Sequence, residues 1–199
     1  MGLFPKSHKR AKILLIFKNY CPISILPAIS KVYEKKIYNR LYNYFSVNNL
    51  LSSSQFGFRS GASTEHALLK FSDDILKLFD PKKVAISTFM DLSKALDCVD
   101  HNILLSKIKR HGIHETALQC INSYLSYGEH FLSWNQSCSS LLNLNIGVPQ
   151  SSILGPLLFL IYINDIVNSS NILSFVLMTP LYMFNMIQLM VQFKSLTRN

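Results

Sequence analysis

The amino-acid sequence predicts an α+β layered fold. Three observations carry the prediction: two amphipathic helical stretches come before any clear strand, a β-branched and aromatic run ends in a carboxylate at Asp91, and short apolar runs then mix with further helical ones. The chain has 199 residues, 49% of them hydrophobic, with only 7 Gly and 7 Pro. That is enough apolar material for one core, or for one domain and part of another, and it excludes a fibrous or disordered chain.

In residues 29–44, Ile29, Val32, Tyr33, Ile37, Leu41 and Tyr44 recur near helical spacing with Lys35, Lys36 and Arg40 between them, so an amphipathic helix is expected with those apolar residues inward. A polar, Gly-bearing loop follows at 52–61. Thr64 is placed to cap a second helix reaching about Phe79, with Leu68, Phe71, Ile75 and Leu78 on one face and Pro81 beyond its end. Residues 84–91 form the first strand. Helical patterns cover 101–110 and 115–124, short apolar strands lie near 130–134 and 141–146, and a helix is expected over about 152–165.

Charge is unevenly placed. Residues 1–83 hold 14 Lys/Arg against 5 Asp/Glu, whereas residues 84–199 hold 6 against 6, so the net +9 lies entirely in the first part. Such an excess suits a polyanion, because neutralised phosphates release their counterions; a solvated basic face is the alternative. Cys21, Cys98, Cys120 and Cys138 have no close paired spacing, and no secretory pattern precedes them. Reduced thiols, mostly in the core, are expected rather than a zinc site with His111 and His114.

Two segments carry chemistry. The first is Phe89-Met90-Asp91-Leu92-Ser93-Lys94-Ala95-Leu96-Asp97, where a carboxylate closing a strand reads as a metal ligand or as the cap of the next turn. The second is Gly147-Val148-Pro149-Gln150-Ser151-Ser152-Ile153-Leu154-Gly155-Pro156. Together they resemble the two central palm motifs of LINE-type (non-LTR retrotransposon) reverse transcriptases, a strand end F-x-D-L-S-K-A-F-D and a turn G-V-P-Q-G-S-I-L-G-P into a helix. The resemblance extends to Asn19-Tyr20-Cys21-Pro22-Ile23-Ser24, to Gln55-Phe56-Gly57-Phe58-Arg59 and to Tyr162-Ile163-Asn164-Asp165, nearly the whole chain.

The resemblance implies a right-hand polymerase with a ferredoxin- or RRM-like palm, incomplete and without a thumb. Residues 1–83 would be a basic fingers remnant and 84–177 the palm. It implies transfer of a deoxynucleotide from its triphosphate to a DNA primer on an RNA template, between two divalent ions, Mg2+ in the family. Asp91 would be a metal ligand, Arg59 would neutralise the triphosphate, and Leu92, Leu96, Pro149 and Gln150 would bound the nucleotide. The location implied is intracellular, nuclear or cytoplasmic.

The chain departs from the family at several positions. Leu96 stands where a bulky aromatic usually blocks a ribose 2′-hydroxyl, and Ser151 replaces a glycine whose positive φ helps make the turn. Cys21 replaces an arginine, and the spacer before Asn19 is missing, which shortens the fingers. The family's F-A-D-D carboxylates belong near residues 173–177, yet no Asp or Glu occurs after Asp165, and Asp165 itself reads as a structural or capping residue. A catalytically dead reverse transcriptase fragment is expected.

The codons explain the gap. Met178-Thr179 must be ATG-AC, so the frame one base earlier contains GAC, an aspartate, after a codon ending in AT that can itself encode Asp. Met186-Ile187 likewise forces GAT and Met190-Val191 forces GGT. Residues 178–199 are therefore expected to be an out-of-frame tail. Two rival readings accompany this one: a non-catalytic RNA-binding remnant, and a membrane anchor through the charge-free stretch 172–193. Pro180, Asn185, Gln188 and Gln192 within that stretch speak against the anchor.

Overall fold

The computed structural model describes residues 3, 10–14, 23–25, 27–77, 83–91, 94–126, 129–134, 137–138, 142–143, 146–149, 151–166, 173–178 and 187–197, with side-chain surroundings for 3, 27–77, 94–126, 146–149 and 151–166. In chain order the elements are β1 Arg10–Leu14, β2 Ile23–Ile25, α1 Ala28–Val47, α2 Thr64–Lys77, β3 Lys83–Asp91, a 3-10 turn Ala95–Cys98, α3 His101–Arg110, α4 Glu115–Ser126, β4 Glu129–Trp134, β5 Ser137–Cys138, β6 Leu142–Asn143, α5 Gly155–Ile163, β7 Leu173–Met178 and β8 Ile187–Thr197. Two compact units form, one from residues 1–50 and 96–163, the other from 51–95 and 164–199.

In the first unit α5 is apolar on nearly every side, and Leu157, Leu158, Phe159, Leu160, Ile161 and Ile163 are all buried. A helix without a polar face belongs inside the core rather than on it. Helix α3 lies against α5 and α4 against α3, burying Leu104, Ile108, Ile121 and Leu125. The start of α3 is fixed by Asp100, whose carboxylate accepts the Ile103 N–H at 2.9 Å, and its last turn carries Lys107, Lys109 and Arg110, as the helix dipole favours. A small sheet completes the unit: β1 runs antiparallel to β2 and parallel to β4, while β5 and β6 both pair with β4. Neither β1 nor β2 is evident from the sequence pattern.

Helix α1 forms where expected but turns another face inward. Its buried stripe is Ser30, Glu34, Leu41 and Phe45, whereas Ile29, Val32, Tyr33 and Tyr44 are exposed. Leu41 alone of the expected apolar face is fully buried. The rotation follows Glu34, which is drawn inward by backbone donors described below.

In the second unit α2 ends within two residues of its expected end, but its cap is Ser63 and not Thr64. The Ser63 carbonyl accepts the first helical N–H, from Ala67, at 3.2 Å, and its hydroxyl accepts the His66 N–H at 3.3 Å. Ala67 is fully buried against Phe56 and Phe71, whereas Leu68 is half exposed and Leu78 lies outside the described residues. The unit's sheet has the order β3-β8-β7, all antiparallel, so β8 is central.

The rival anchor reading meets strands, and one further expectation changes. The stretch 172–193 contains the strands β7 and part of β8, and no helix among the described residues is long and apolar enough to cross a membrane. Of the cysteines with described side chains, Cys98 is exposed and Cys120 only half-buried, both free thiols, so neither is the core thiol expected. Cys21 and Cys138 have side chains outside the described set.

Leu158 is fully enclosed at the centre of the first unit. Leu158→Ala is expected to cost about 3 kcal/mol, read from the urea midpoint at unchanged slope, because transfer and cavity costs add at such a site.

Candidate functional site

The two motifs, some fifty residues apart in sequence, are joined by their backbones. The Gly147 N–H donates to the Val99 carbonyl at 2.8 Å, the Val148 N–H donates to the Leu96 carbonyl at 2.9 Å, and Ile146 bridges Asp100. Buried His101 adds a side-chain tie, with Nε2 2.7 Å from the Gly147 carbonyl oxygen, the tautomer protonated there donating. Gly147 has φ +89, and a Cβ on it would lie 2.9 Å from the Asp97 carbonyl oxygen. Only glycine lets the second motif approach the end of the first so closely.

Leu96 thus sits half-buried in the 3-10 turn with its carbonyl engaged by the second motif. Pro149 is half-buried next to Val148, and its carbonyl accepts the Ser152 N–H at 3.3 Å, which closes the turn. Ser151, inside that turn, has φ +70. A residue with a Cβ thus holds a left-handed conformation, and the serine bears the strain.

The turn leads into α5 through three amides held by side chains. The Ser152 hydroxyl accepts the Gly155 N–H at 3.0 Å, and Glu34 Oε2 accepts those of Ile153 at 2.6 Å and Leu154 at 3.3 Å. Pro156 has no N–H to satisfy. A carboxylate at this end also meets the positive pole of the helix dipole. Glu34 is 0% exposed, and burial pushes its carboxyl above the usual range, against the opposing pull of the two backbone N–H groups and of Lys31. Burial first, and then the nearby Glu34 charge, push the Tyr124 hydroxyl on α4 well above its usual range. At the other end of α5 the Lys107 ammonium donates to the Tyr162 carbonyl at 2.5 Å and stands 5.2 Å above the Tyr162 ring.

Arg59 lies in the loop of the second unit, with Nη1 donating to the Ser52 carbonyl at 2.6 Å. The Ser52 N–H in turn donates to Asn164 Oδ1 at 2.9 Å, so Asn164 anchors this loop. Asp91 is the last residue of β3. Its register partner is Gln188 of β8, which itself pairs with Leu177 of β7. Leu92 and Gln150 lie outside the described residues.

Glu34, His101, Lys107 and Asn164 are not evident as site residues from the sequence. Glu34 did carry a signal: it stands seven and eleven residues before Leu41 and Phe45, an acid in the register of an apolar stripe.

Residues 5–179 match the family described as reverse transcriptase (RNA-dependent DNA polymerase). The chain belongs to the reverse transcriptase family. Its relatives place it among the LINE-type, non-LTR elements. It is 35% identical to the probable RNA-directed DNA polymerase from transposon BS of Drosophila melanogaster, over 82% of this chain and 19% of that protein. It is 34% identical to the X-element polymerase of the same fly, over 83% and 18%, and 33% identical to that of mobile element jockey, over 83% and 19%. The chain spans about a fifth of the length of these relatives. A structure of apo telomerase from Candida tropicalis, truncated from its C-terminal domain, shares the fold with TM-score 0.59 and 16% identity over 96% of this chain and 45% of that one.

Reverse transcriptases work with divalent metal ions, Mg2+ being the expectation for this one. Register brings Gln188 of β8 and, beyond it, Leu177 of β7 into line with Asp91, and the chain holds no acid after Asp165. Among the described residues no three His, Cys, Asp or Glu side chains group as ligands.

Two glycine-dependent positions give opposite expectations. Gly147→Ala should lower the urea-derived stability by about 2 kcal/mol, and Ser151→Gly should raise it by about 1 kcal/mol, because only the second change relieves a left-handed residue. Glu34 gives a pH dependence. Its folded pKa is raised, so the stability it contributes is complete below the ordinary glutamate range and is lost as pH rises through the raised value. Glu34→Gln is uncharged throughout, so its urea midpoint relative to the parent should climb as pH rises from the ordinary glutamate range through the raised value. A difference that shrinks over that range contradicts the assignment.

Proposed function

We propose that this reverse transcriptase domain retains the surfaces that meet nucleotide, template and primer, and lacks the chemistry that joins them. The absence of any carboxylate after Asp165 carries the proposal: Asp91 is left as a metal ligand without a partner on the neighbouring strands. In this reading 1–83 is a basic fingers remnant, 84–177 is the palm with its two central motifs, and 178–199 is translated out of frame. Arg59 meets the triphosphate, and Leu92, Leu96, Pro149 and Gln150 frame base and sugar. The partners are an RNA template, a DNA primer and deoxynucleoside triphosphates.

The joined backbones of residues 96–101 and 146–149 support the nucleotide side of this reading, because Leu96 and Pro149 then flank one place. The excess of 14 basic over 5 acidic residues in 1–83 supports the nucleic-acid side. With Leu96 in place of an aromatic, the sugar gate is wide, so discrimination against ribonucleotides is weak in any repaired form.

A primer-extension assay on an RNA template tests the proposal. The chain as it stands should incorporate nothing above background with Mg2+, and a version read in the earlier frame from residue 178 should extend the primer. Incorporation by the unaltered chain overturns the reading.

A further inference from the structure

Glu34 lies more than a hundred residues before the turn that it touches. It is fully buried, its Oε2 takes two consecutive amides at the head of α5, and its Oε1 has no hydrogen-bond partner among the described residues. Ser30, one helical turn earlier, and Tyr124 are buried polar side chains beside it. An uncharged residue that filled this space would spare the cost of burying a carboxylate. What a carboxylate supplies is a fixed, doubly accepting anchor for the segment immediately after Pro149, Gln150 and Ser151.

We propose that Glu34 is a positioning residue for nucleotide binding: by taking the Ile153 and Leu154 amides it fixes the Pro149–Ser152 turn, and it occupies the place at the head of α5 where an anion would otherwise bind. The inference rests on the reading that this turn faces the nucleotide. Amides at a helix head attract phosphate as readily as carboxylate. With three of them already engaged, the head of α5 is closed to a further anion, and the turn is free to meet base and sugar.

The test uses the full chain and the variants Glu34→Gln and Glu34→Ala, compared well below their melting temperatures with folding checked by circular dichroism. The first arm titrates N-methylanthraniloyl-dATP against each protein with an RNA–DNA primer-template. Glu34→Gln keeps an acceptor and should bind within about twofold of the parent, whereas Glu34→Ala should bind about tenfold more weakly, the equivalent of losing one cap. The second arm adds sodium formate, which should raise the melting temperature and restore the nucleotide affinity of Glu34→Ala alone.

If Glu34→Ala binds nucleotide like the parent while melting lower, Glu34 only stabilises the fold and the inference fails. If formate leaves that variant unchanged, the anion place at the head of α5 is refuted. If Glu34→Ala does not fold, the Gln variant decides, and a loss there as large as tenfold refutes the acceptor role. No binding by the parent sinks the nucleotide reading itself, and this inference with it.

Discussion

Helix α5 has an apolar surface on nearly every side, so hydrophobic burial holds it in the core without fixing its rotation or its position along its axis. Its ends supply what its faces lack. A carboxylate, Glu34, meets the head and an ammonium, Lys107, meets the last turn, each of the sign that the helix dipole favours there. Both come from other helices, α1 and α3, so the placement of α5 is set by three elements together. The turn that precedes α5 inherits that placement, and through it so does the second motif.

The first motif is tied to the second by backbone rather than by side chains. Gly147 and Val148 extend a short ladder onto Val99 and Leu96, and His101 closes it from the side. This explains how changes such as Leu96 and Ser151 can be carried without dissolving the join, since neither changes a backbone donor or acceptor. Metal chemistry has no such protection. It depends on side-chain carboxylates brought together by strand register, and here the register sets Gln188 beside Asp91.

Helices α3 and α4 and strand β3 were legible from periodicity because they are amphipathic or β-branched in the ordinary way. Helix α3 begins and ends at the expected residues, and the two motifs marked the segments that the structure joins. The inward face of α1 was not legible: counting apolar residues favours Ile29, Val32 and Tyr33, whereas the helix turns to bury an acid whose partners are amides distant in sequence. Strands β1 and β2 were missed because they are short and one begins among basic residues. Strand β8 was missed because an uncharged run suggested a membrane segment or accidental sequence, and periodicity cannot tell either from a buried strand. The role of His101 left no mark and Asn164 stood only as part of a motif, since each acts on a backbone group that only the fold brings near.

In the proposed reading the nucleotide side is held together and the metal side is incomplete. Binding of Mn2+, followed by its electron paramagnetic resonance signal in the parent and in Asp91→Asn, tests it most directly. The account predicts that the two proteins bind Mn2+ equally and weakly. Tight binding by the parent that disappears in Asp91→Asn would contradict it, since Asp91 would then have found the partners that the strand register denies it.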